Sequence, residues 1–104
     1  MSDANQVLIP AAFIALYVPA GRSRPSESSE HIAARHEICE DMACMLMEPA
    51  QTTLWQLGIT EADVLERMHR GLVGDDAVVS RAEAGWVVHR LAELLDWDCP
   101  PLAE

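Results

Sequence analysis

The residues most able to do chemistry lie between His31 and Cys44: His31, His36, Glu37, Cys39, Glu40, Asp41 and Cys44. Imidazole, carboxylate and thiolate are the groups that hold zinc, and zinc needs three or four of them converging at fixed spacing. A helix does not deliver that here. Cys39 and Cys44 point about 140° apart around a helix axis. His36 and Glu40 share a face, but no third or fourth ligand follows at a set interval, and His31 falls off that stripe. The expected reading is a core thiol, an exposed thiol and a solvated His/Glu pair, with no metal.

The loop from Gly71 to Glu83 holds Asp75, Asp76, Val78 and Glu83, residues of the kind found in calcium loops. Its count is wrong: Gly71 and Val73 stand where oxygen ligands belong, and Asp76 replaces the central glycine. The chain has no G-x-x-x-x-G-K-[ST], no G-x-G-x-x-G and no G-x-S-x-G. It has no lysine at all, which removes the phosphate-loop and Schiff-base lysines. No catalytic residue and no cofactor is expected. Cys44 can cross-link chains under oxidation, but acidic neighbours disfavour its thiolate.

Charge narrows the classes further. Seventeen acids face seven arginines, for a net charge of −10 over 104 residues. Residues 1–24 carry +1, 25–59 carry −5 and 60–104 carry −6, so the acidity sits on the body of the chain. Such a field repels nucleic acid and anionic membrane, and favours basic protein partners or plain solubility. Three cysteines without framework spacing point to a reducing cytoplasm. The apolar run Val7–Ala20 is too short to span a bilayer. It also lacks the leading basic residues and the cleavage site of a signal peptide.

The elements that must position these groups read as helices. Residues 1–6 are expected to be disordered. Pro10 and Pro19 bracket a short helix with Phe13, Leu16 and Tyr17 on one face, or an extended segment favoured by Ile14, Tyr17 and Val18. Residues 20–29 form a loop or linker rich in serine. A long helix starts near Glu30 under a Ser28 or Ser29 cap and runs at least to Met47. Its apolar face is Ile32, Cys39, Met42, Ala43 and Leu46, flanked by Ile38 and Met45, with Glu37, Glu40 and Asp41 opposite. At Pro49 it either kinks or yields to a new helix carrying Pro49 in its first turn. The apolar phase resumes at Ala50, Leu54 and Leu57, and Gly58 stops it.

The last third is a helix–loop–helix. Thr60 and Ser80 cap helices over 61–70 and from 81 to about 96, each with a carboxylate three residues on. Val64, Leu65 and Met68 face inward in the first, and Gly71 ends it. Ala84, Val87, Val88, Leu91, Leu94 and Leu95 face inward in the second. Its far side holds Trp86, Arg90, Glu93 and Trp97 at i, i+4, i+7 and i+11. Either the amino-terminal segment covers those indoles, or they form a partner surface, since Trp and Arg dominate binding hot spots. On the second reading Arg90 can stack on Trp86. DNA reading by this hairpin is disfavoured: the connection is too long, the second helix offers no phosphate-binding residues, and the charge opposes it. Mimicry of DNA by the acidic surface is a further alternative, as is a small metal-binding or enzymatic protein.

The strings FIALYVPAGRSRP, IAARHEICEDMACML and TEADVLERMHRGL resemble small uncharacterised proteins of Burkholderia-type bacteria, some labelled "ATPase with chaperone activity". The resemblance spans nearly the whole chain. It implies a bacterial cytosolic protein associated with a chaperone system. The ATPase activity does not carry over, because every nucleotide-binding element is missing.

The expected protein is an all-α small helical bundle of three to four helices, with a short amino-terminal element and a closing helix–loop–helix. One domain over 7–97 is expected, followed by a flexible tail at 98–104. The expected function is a non-enzymatic interaction or adaptor module. Its contact surface would be Trp86, Arg90, Glu93 and Trp97, with Phe13 and Tyr17 second, and its partner an unknown, basic protein.

Overall fold

Proline writes the first element. Pro10 pre-sets an extended start (φ −58°, ψ 141°), and its carbonyl accepts from the amides of Phe13 and Ile14 at 3.0 and 3.1 Å. Helix α1 (Ala11–Ile14) then tightens into a 3₁₀ turn over Ala15–Tyr17. Val18 turns extended (φ −97°, ψ 112°), because the ring of Pro19 excludes the helical region for the residue before it. Of the two readings of this segment, the helical one holds as far as Tyr17. The computed structural model describes residues 9–74 and 76–102, so the stretch 1–6 lies outside the described residues.

The loop that follows is tied back. Gly21, at φ 78°, occupies the left-handed corner of a turn closed by Arg22 N–H donating to the Pro19 carbonyl at 3.0 Å. Ser26 donates twice to the Tyr17 carbonyl, from its amide at 2.7 Å and its hydroxyl at 3.1 Å. Ser28 is the cap of α2 (Ser29–Met45): its hydroxyl accepts from the His31 amide at 3.1 Å.

The long helix stops at Met45, short of the expected Met47, and Pro49 falls in a new helix. With no N–H, and with a ring that would clash against the Met45 carbonyl, it cannot continue α2. The chain restarts at once as α3 (Met47–Leu57), with Leu46 as the single joint and Pro49 in the first turn, where amides lack helical partners anyway. Gly58 closes α3 in the left-handed conformation (φ 61°, ψ 32°), its amide donating to the Leu54 carbonyl at 3.0 Å.

Helix α4 spans Glu61–Leu72 and α5 spans Arg81–Leu95. Ser80 and Glu83 form the full reciprocal capping box: the Glu83 amide donates to the Ser80 hydroxyl at 3.1 Å, and the Ser80 amide to the Glu83 carboxylate at 2.8 Å. Thr60 supplies the forward half, accepting from the Asp63 amide at 3.1 Å. Asp63, one methylene shorter than glutamate, is less suited to the return bond. Gly71 does not end α4, contrary to expectation; the helix runs on to Leu72, which packs on the core. Among the described residues there is no strand, and the fold is an all-α helical bundle.

The chain divides into two compact units, one reaching to Ile38 and one running from Cys39. Helix α2 contributes to both. In the first unit Phe13 is fully buried, its ring 5.5 Å from Tyr17 and 5.2 Å from His36, which it meets edge-on. In the second, Ala50, Val64, Leu65, Val88, Leu91 and Ala92 make a dry cluster. Each fully buried Val or Leu there contributes about 1.5–3 kcal/mol. Leu46, Leu54, Met68, Leu72 and Trp97 pack around it. Cys99 and Leu102 do so as well, so the stretch read as a flexible tail lays two side chains on the core.

Candidate functional site

Of the four residues expected to form a contact surface on α5, Trp86, Arg90 and Glu93 lie on the helix and Trp97 lies beyond its end. Arg90 is occupied. Its Nε and Nη2 reach the Glu40 carboxylate at 2.9 and 3.0 Å in the two-pronged geometry guanidinium favours, and Nη1 reaches Glu93 at 3.0 Å. The Glu40 bonds, followed by those to Glu93, hold the guanidinium proton even more firmly than usual. Glu40 therefore does not sit on an open acidic face, as expected, but is anchored to α5. The solvated His36/Glu40 pair does not exist: His36 is buried against Phe13 while Glu40 holds Arg90.

Trp97 leaves the helix before it can line up with Trp86. Helix α5 ends at Leu95, and Asp96 adopts a left-handed conformation (φ 59°, ψ 43°). The Trp97 amide then donates to the Ala92 carbonyl at 2.8 Å, and that of Asp96 to Glu93 at 3.2 Å. This paired closure reverses the chain. It sets Trp97 against the core cluster, partly buried. Trp86 is half-buried. In the second expected surface Phe13 is wholly buried, because it is the hub of the aromatic group that includes Tyr17 and His36, and Tyr17 is half-buried. Tyr17 also meets His31 edge-on at 6.2 Å.

The indole that does face solvent is Trp55, 86 % exposed on α3. Glu48, Gln51, Thr52 and Trp55 form the outer face of that helix, at i, i+3, i+4 and i+7, and all four are exposed. Ala50 and Leu54 form its inner face, while Leu57, expected to follow them inward, is 52 % exposed. Sequence reasoning missed Trp55 although the signal was there: it stands one residue past the inward Leu54 and two turns from Glu48. Met45, at the end of α2, is 72 % exposed.

Among the described residues no three His, Cys, Asp or Glu side chains converge as metal ligands. Cys39 is buried and Cys44 exposed. Cys99 lies partly buried, and burial pushes its thiol pKa up. His89 Nδ1 lies 2.8 Å from the Gly85 carbonyl of its own helix, and His69 is buried in α4. Glu83 is engaged by its capping box, and Asp75 lies outside the described residues. An open concavity lined by Pro19, Arg22, Ser23, Arg24, Pro25 and Ser26 holds no carboxylate, histidine or cysteine.

No known family model, curated protein or solved structure matches the chain. Among the described residues no helix is long and apolar enough to cross a membrane.

Proposed function

We propose that the protein is a non-enzymatic protein–protein interaction or adaptor module, and that its contact surface centres on Trp55 of α3. The exposed indole carries this reading. A domain with five aromatic residues has strong reason to bury them, yet leaves one of its three tryptophans 86 % in water. An indole buries about 150–250 Å² when covered. At about 25 cal/mol per Å², that is several kcal/mol available to a partner. The centre moves away from Trp86, Arg90, Glu93 and Trp97, because Arg90 is satisfied and Trp97 packs inward. Net charge −10 favours basic proteins over nucleic acid or anionic membrane. The resemblance to Burkholderia-type proteins supports a bacterial cytosolic setting and a chaperone-associated role.

The test is affinity capture from the native host with wild type, Trp55→Ala and Trp86→Ala side by side. Loss of a partner with Trp55→Ala and its retention with Trp86→Ala is expected. Unchanged capture by Trp55→Ala refutes the surface.

A further inference from the structure

The run from Cys39 to Glu66 is chemically one-sided. Its 28 residues hold six carboxylates and neither arginine nor lysine. Glu40 is taken by Arg90. The other five, Asp41, Glu48, Glu61, Asp63 and Glu66, are all exposed. Arg67 and Arg70 close the run only at the far end of α4. The same run contains Met45, Trp55 and Leu57, three of the five large apolar side chains most open to solvent among the described residues. Of these, Glu48 and Trp55 share the outer face of α3.

We infer that the outer face of α3 receives a cationic, amphipathic segment of a partner protein, with an apolar side chain against Trp55 and lysine or arginine beside Glu48. This rests on the reading of Trp55 as a contact surface and adds the chemistry of what it contacts. The lone indole and the i, i+7 carboxylate define one stripe, which an amphipathic helix with a basic flank matches. A second copy of this chain fits poorly: it would bring another charge of −10, and another run free of bases, against the first. A neutral apolar segment would cover Trp55 but leave Glu48 without a counter-charge.

The probe is a pair of synthetic amphipathic helical peptides with the same apolar residues, carrying lysine in one and glutamine in the other. Trp86→Phe/Trp97→Phe protein reports Trp55 emission alone. Backbone amide shifts of residues 48–55 in wild type give the same answer should that double variant not fold. The lysine peptide is expected to shift Trp55 emission to the blue and to bind more weakly as salt rises. Glu48→Gln should weaken it about twofold to fivefold, as for an exposed ion pair, and Trp55→Ala should abolish it. Equal, salt-insensitive binding of the glutamine peptide overturns the cationic partner but leaves the Trp55 surface standing. Binding of the lysine peptide untouched by Trp55→Ala overturns both. A concentration-dependent doubling of mass that Trp55→Ala removes would show the occupant to be a second copy and overturn the inference. Absence of any effect of either peptide on residues 48–55 overturns it too, while partner capture judges the surface separately.

Discussion

Arg90 ties two helices together through one guanidinium. It bridges Glu40 in α2 and Glu93 one turn along α5, so one positive charge serves two carboxylates and the triad keeps a net charge of −1. About a third of the Arg90 side chain stays exposed. Water therefore screens the pair, and the contribution is that of a good surface bridge rather than a buried one. Arg90→Ala and Glu40→Gln should each cost about 1 kcal/mol by urea unfolding. Their double variant should show a coupling of about 0.5–1 kcal/mol. Trp55 and Trp97 should part company in the same assay. Trp55→Ala should change stability by no more than about 0.5 kcal/mol, as for surface positions. Trp97→Ala, which uncovers the core cluster, should cost about 2 kcal/mol. Identical losses at the two positions would contradict the placement of Trp55 in solvent.

At the scale of the elements, the ends of helices carry the testable content. The capping box before α5 satisfies two amides with two side chains, so Ser80→Ala should cost about 1–2 kcal/mol, more than Thr60→Ala, which removes one bond. Asp96 holds a left-handed conformation that costs an ordinary L-residue about 1–2 kcal/mol and glycine nothing. Asp96→Gly should therefore raise the thermal midpoint, by about 0.5–1 kcal/mol in stability, with Trp97 held in place. Much of this was legible. Thr60, Ser80 and Gly58 announce themselves because capping is a local transaction between neighbouring residues. The ion pair of Arg90 with Glu40 was not legible, since the two lie fifty positions apart and helical phase alone places Glu40 in water. The inward turn of Trp97 was missed for a different reason. Nothing in the pattern marks an aspartate as the residue that reverses a helix. A surface read from helical spacing assumes an unbroken helix, and α5 ends at Leu95, two residues before Trp97.

For the whole molecule, burial of the thiols predicts a reactivity order. Cys44 should alkylate first, Cys99 more slowly and Cys39 only on unfolding. Counting modified cysteines by mass against time checks this. The raised Cys99 thiol also sets a sign for pH. The folded state holds that proton more tightly than the unfolded state. The associated stability is complete below the ordinary thiol range and is lost as pH climbs through and above it. Cys99→Ala should flatten the alkaline limb of a stability–pH curve. An unaltered limb would assign the alkaline loss to other groups.

The joint at Leu46 has a consequence for how the molecule can change over time. Because Pro49 forbids fusion of α2 with α3, the two helices meet at the single residue Leu46, whose backbone alone relays the phase of α2 to Trp55. A single residue inserted between Pro49 and Trp55 would turn the indole by about 100° and bring another side chain to the surface. Substitutions at the four outer positions of α3, Glu48, Gln51, Thr52 and Trp55, would alter what the helix shows to solvent while leaving its buried side as it stands.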